Sequence, residues 1–196
     1  GNGLSSSAEK FMPRTMVMRE ALESAGSFDS VEKIAHLFRN WMVKQGSSTH
    51  IACPVHEEGK AFLPFVLEWD GNHQDDGATI RIEDPSFIVD ATVCTNHFMK
   101  RRQPNEKGIS KSSQLRFKRI VDLLREYRTS KHVIGLQSAI DIMKSVERRG
   151  KIVTYLTWIA IPSDKRIAFA VTPGRGIAAT SGDWTELVWE QIFDEH

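Results

Sequence analysis

Apolar positions recur at helical spacing in two stretches near the start of the chain. In the first, Pro13 suits an opening helical turn and Val17 or Met18, Ala21, Leu22 and Ala25 share a face before Gly26 stops it. In the second, Asp29 and Glu32 form a capping-box pattern ahead of a stripe of Val31, Ile34, Ala35, Phe38, Trp41 and Met42, which ends at Gly46. The period then changes to that of extended chain, with apolar or β-branched runs at His50–Cys53, Ala61–Trp69, Ala78–Ile82 and Phe87–Cys94. Asp70-Gly71-Asn72 and Asp75-Asp76-Gly77 supply turn chemistry between the middle two runs, which predicts antiparallel hairpins. Pro64 cannot donate to a ladder, so it marks an edge or a bulge.

Helical spacing returns from Ser112 to about Arg128, with Phe117, Ile120, Val121 and Leu124 on one stripe. It returns again from Leu136 to about Arg149, with Leu136, Ala139, Ile140, Met143 and Val146. Two further strands, Ile152–Ile161 and Arg166–Thr172, are joined by the turn-rich Pro162-Ser163-Asp164-Lys165. Asp183-Trp184-Thr185-Glu186 reads as a helix start within an amphipathic tail that runs to Phe193. Helices and strands are segregated rather than alternating, so the expected class is α+β with layered packing. The chain reads as a single domain over 1–196 with a Gly/Ser-rich, flexible lead-in at 1–10.

Composition narrows the function classes. The 196 residues carry 26 basic and 25 acidic side chains, a formal charge of +1, and the one basic run, Lys100-Arg101-Arg102, is short. No field exists to gather nucleic acid, and binding to it is not expected. Two cysteines, Cys53 and Cys94, exclude a disulfide scaffold or a Cys-rich zinc site. The seven histidines show no metal-ligand spacing, so neither metal nor cofactor is expected. No run reaches the length of a membrane span. Localisation is not legible, and self-association is left open.

Candidate chemistry centres on Ala91–Arg102, where Cys94, Asn96 and His97 follow one another. In a strand, residues 94 and 97 point to opposite faces, so a local thiolate–imidazole pair is not expected and Cys94 reads as a small buried side chain. A third reading, an independent enzyme using Cys94, requires that thiol to be reactive. Asn96 stands where the strand leaves its apolar run; its amide either donates to a developing oxyanion or bonds the local backbone as a turn former. Arg116 lies at the margin of the buried face of its helix, either as a cation orienting a carboxylate or thiolate, or as a stem covering apolar surface. Gly174-Arg175-Gly176 reads as a turn.

Taken in order, Cys94-Thr95-Asn96-His97-Phe98, Ser113-Gln114-Leu115-Arg116-Phe117, and the strand pair Tyr155–Pro162 and Arg166–Val171 resemble the later part of the linear amide hydrolases. That group includes choloylglycine hydrolases, penicillin acyltransferases and acid amidase relatives. Met16–Glu23, the helix from Ser30 and the strand ending Val66-Leu67-Glu68 resemble its earlier helical and sheet portions. The resemblance implies an αββα four-layer sandwich of the N-terminal-nucleophile hydrolase type, of which this chain is the later portion. It also implies an amide hydrolase or acyltransferase working through a thioester, with Asn96 lining the oxyanion site and Arg116 near the nucleophile. The family's nucleophile is a cysteine at the start of the mature chain, whereas residue 1 here is glycine. The expected partners are therefore an N-terminal portion or companion chain carrying that cysteine, separated by proteolysis, encoded apart or left out of an expressed fragment, and a small acyl-amide substrate. The alternative is a non-catalytic homologue acting as a binding or assembly domain.

Overall fold

The computed structural model describes residues 14–24, 31–39, 47–54, 62–69, 78–81, 91–100, 109–148 and 153–193. The fold is α+β with two small antiparallel sheets of three strands each. The chain divides into two compact units, Gly1–Gln114 and Leu115–His196. The lead-in at 1–10, Asp29 of the expected capping box, and Trp41 and Met42 lie outside the described residues.

In the first unit, helices α1 (Arg14–Ser24) and α2 (Val31–Arg39) precede strands β1 (Ser47–Pro54), β2 (Phe62–Trp69) and β3 (Ala78–Arg81), ordered β1-β2-β3. Strand alternation sorts β2 into two faces. Phe65, Leu67 and Trp69 join Val17, Ala21, Ala35, Phe38 and Ala78 in one apolar cluster, so α1 and α2 cover this face. Phe38 and Trp69 meet edge to face at 4.6 Å, an arrangement worth about 0.5–1.5 kcal/mol beyond burial. Trp69 donates through Nε1 to Thr49 Oγ1 at 3.2 Å, so its polar atom is satisfied. Pro64 pairs with Ala52 of β1, while β3 reaches only Val66–Trp69. Although β2 is the central strand, its Pro64 end has a partner on one side only among the described residues, a position at which a ladder tolerates a residue without an N–H.

Helix α3 (Lys111–Thr129) opens in the first unit and continues into the second, where α4 (Leu136–Val146) precedes β4 (Leu156–Ile161), β5 (Arg166–Val171), β6 (Trp184–Val188) and a short α5 (Trp189–Phe193). The β4–β5 turn is a single 3₁₀ turn at Pro162–Asp164, closed by Lys165 in the left-handed region at φ 50°. Thr157, Ala168 and Ala170 are buried on one side of this sheet, and α4 packs against β4. The opposite side carries Leu156, Trp158 and Val171, which stay more than half exposed. Gly174–Gly176 forms the expected turn, with Ile177 N–H donating to the Gly174 carbonyl and Gly176 at φ 79°.

Two expected elements differ. Trp184–Val188 is a strand rather than a helix start, because Trp-Thr-Glu-Leu-Val pairs along β5 from Ala170↔Trp184 to Arg166↔Val188; the helix begins only at Trp189. The strand expected to end at Cys94 is not formed over Ala91–Cys94. Side chains take the place of a ladder there, since Arg81 Nη2 donates to the Val93 carbonyl at 2.6 Å. Among the described residues no helix is long and apolar enough to cross a membrane.

Candidate functional site

The second face of the first sheet is polar, and the segment 91–100 lies on it. Register places His50, Val66 and Arg81 in one row and Ser48, Glu68 and Thr79 in the next. Glu68 and Arg81 are 0% and 1% exposed and form an ion pair, with Arg81 Nε 3.4 Å from Glu68 Oε1. The carboxylate also accepts from two successive backbone amides, Met99 N–H at 2.8 Å and Lys100 N–H at 2.9 Å. Such charge-assisted bonds are the strong kind. They fix the end of the segment, as the Arg81 bond to Val93 fixes its beginning. Arg81 Nε and Nη1 make no hydrogen bond, so this guanidinium depends on Glu68 for its charge compensation.

Between these two anchors the chain reverses tightly. His97 N–H donates to the Thr95 carbonyl at 2.8 Å, a three-residue turn with Asn96 at its centre. Thr95 and His97 are tied at Ser113 in the first turn of α3: His97 Nδ1 lies 2.8 Å from Ser113 Oγ and 2.9 Å from Thr95 Oγ1. Val93, His97 and Phe98 are buried, whereas Asn96 is exposed. The fold therefore buries His97 and half-buries Thr95 on either side of Asn96, while Asn96 itself stays exposed.

Cys94 and His97 take different partners, but strand alternation is not the reason, because no strand forms over Ala91–Cys94. The half-buried thiol of Cys94 faces His50 instead, with Sγ 3.8 Å from Nδ1. Burial pushes the thiol up to about 11, an effect that Arg81 opposes and Glu68 reinforces. Desolvation, followed by the Arg81 charge, holds His50 below its ordinary value against a bond involving the Thr92 backbone. His50 as a residue stays exposed, so the depression is a matter of direction only. Both shifts favour a neutral thiol beside a neutral imidazole. A reactive cysteine needs the opposite, a thiolate beside a cation.

Arg116 falls in the second unit, half-buried on α3. Burial, then the charge of Arg148, holds its guanidinium below the ordinary arginine value, and it remains a cation at any physiological pH. Among the described residues no three His, Cys, Asp or Glu side chains come together as a metal site. The elements missed in the sequence were Glu68 and Arg81. Their signal was present as a carboxylate inside Phe62–Trp69 and an arginine closing Ala78–Arg81, each a charge in an otherwise apolar strand. Comparison of the chain with protein-family models, with curated proteins and with solved structures gives no match.

Proposed function

We propose that this chain carries the oxyanion-stabilising portion of an amide-bond hydrolase or acyltransferase of the N-terminal-nucleophile class. The observation that supports this reading most is the exposed Asn96 at the centre of a three-residue turn whose flanks, the half-buried Thr95 and the buried His97, are anchored at Ser113. A donor held rigidly where charge develops needs no reorganisation during reaction, and one such donor is worth about 2.7–4 kcal/mol in the transition state. A cysteine outside this chain attacks the acyl carbon, expels the amine and leaves a thioester, which water or a second amine resolves. Asn96 donates to the oxyanion in both steps. Arg116 is proposed to hold a carboxylate or support the thiolate, a use that suits its permanent charge and forked donors.

The layered αββα architecture belongs to the same proposal. Its support is the second sheet, which has one helix-covered face and one apolar face, the arrangement that a sheet-on-sheet layer requires. That apolar face also favours the second reading, a non-catalytic assembly domain. Turnover of acyl-amide substrates by the full-length protein separates the two. Asn96→Ala lowers kcat by roughly 100-fold or more with folding intact, and Arg116→Lys lowers kcat or raises KM through loss of its bidentate geometry. Full activity in Asn96→Ala removes Asn96 from the mechanism. A full-length protein that turns over no acyl-amide leaves the assembly reading in possession.

A further inference from the structure

Three side chains around Asn96 share more hydrogen bonds than the mere closing of a turn requires. Thr95 Oγ1 donates to the Ser113 carbonyl at 3.1 Å, and Ser113 Oγ donates to Thr95 Oγ1 at 2.9 Å. Both hydroxyl protons are then spent. His97 Nδ1 lies within 2.9 Å of both hydroxyl oxygens, and no hydroxyl proton is left to offer it. If Nδ1 were an unprotonated acceptor, its lone pair would face oxygen lone pairs at hydrogen-bond distance. With a proton on Nδ1, one shared N–H satisfies both oxygens and every short contact contains a hydrogen. The network thus assigns His97 the Nδ1–H form.

We infer that Thr95, His97 and Ser113 form a positioning ring for Asn96, closed by the Nδ1–H of His97. The inference rests on the reading of Asn96 as the oxyanion donor. Thr95 and His97 are the immediate chain neighbours of Asn96, and both are pinned to Ser113, which is fully buried in the first turn of α3. The backbone on either side of Asn96 is therefore fixed. An error of about 1 Å in placing a catalytic group costs as much as 100-fold in rate, so a ring of three hydrogen bonds around one amide is an economical place to secure it. None of the three touches substrate; each acts through Asn96.

The test uses two substitutions at one site. Thr95→Val keeps the side-chain shape and removes the hydroxyl, whereas Thr95→Ser keeps the hydroxyl. In a long-range proton–nitrogen spectrum of the unmodified chain, His97 shows the Nδ1-protonated pattern. The Asn96 backbone amide has an order parameter near 0.85 in the unmodified chain and in Thr95→Ser, and falls below about 0.6 in Thr95→Val. In the full-length protein Thr95→Val lowers kcat about 10-fold to 100-fold with KM unchanged, and Thr95→Ser restores it. An Nε2-protonated His97, an equally rigid Asn96 in Thr95→Val, or an unchanged kcat overturns the ring. The spectra decide the ring's geometry without any activity. If Asn96→Ala keeps full turnover while the spectra come out as expected, the functional reading fails and the ring survives as a structural turn.

Discussion

The two sheets treat their second faces in opposite ways. The first sheet puts a carboxylate, a guanidinium and an imidazole on the side away from its helices and ties residues 91–100 over the first two, Glu68 and Arg81, which are buried. The second sheet puts Leu156, Trp158 and Val171 on the side away from α4 and leaves Leu156 and Trp158 57% and 60% exposed. A polar face buried under backbone must satisfy each group specifically, so it fixes geometry. An apolar face left open fixes nothing on its own, and single exposed apolar residues contribute little to the stability of the unit that bears them. Precision is therefore expected around Asn96, and adhesion at the second sheet.

The largest effect that would break this contrast lies in the ion pair. Glu68→Gln leaves Arg81 charged, buried and uncompensated, and should destabilise the first unit by about 3–5 kcal/mol in chemical denaturation. Glu68→Leu combined with Arg81→Met should recover much of that loss, because the unpaired charge goes with its partner. It would not recover order at Met99 and Lys100, whose amides lose their acceptor. A cost below about 1 kcal/mol for Glu68→Gln would place this pair with ordinary surface bridges.

A middle effect comes from Cys94 and His50. The thiol is protonated in the folded chain up to about 11, above its ordinary value of 9.0. Between those limits the unfolded chain releases a proton that the folded chain keeps, so stability falls as pH rises from about 9 toward 11. For His50 the folded value is depressed, so the unfolded chain takes up a proton first and stability falls as pH drops below the ordinary histidine range. Alkylation of folded Cys94 by iodoacetamide should accordingly be slow at neutral pH and accelerate only on strong alkalinisation. Fast labelling at pH 7 would revive Cys94 as a nucleophile.

The smallest effect on stability belongs to the open face. Trp158→Ser should change the stability of the second unit by no more than about 0.5 kcal/mol. It should still reduce the binding of an apolar dye and any self-association seen by sedimentation, because it removes the largest exposed apolar side chain from the face. A stability loss above about 2 kcal/mol would mean that this side chain is already packed.

Much of the α+β organisation was legible because it rests on periodicity. Phe117 and Val121 on one helix stripe, or the alternating Leu156–Ile161, announce both an element and its buried side through local spacing. Trp184–Val188 was misread because Asp183 resembles a helix cap, while the strand is stabilised by β5, which lies far away in sequence. The fourth apolar run failed for a similar reason: over Ala91–Cys94 the backbone partner is a side chain, Arg81, that no pattern within the run reveals. Asn96 could be singled out from its own sequence, but Ser113 and Glu68, which hold the chain on either side of it, could not. Their contacts with Thr95, His97, Met99 and Lys100 exist only in three dimensions.

The claim that Asn96 is the residue this architecture presents is tested most directly by turnover of an acyl-amide in the full-length protein before and after Asn96→Ala. The expected result is a kcat lower by roughly 100-fold or more, with an unchanged unfolding midpoint and a thioester still formed slowly. An Asn96→Ala protein as fast as its parent would contradict it.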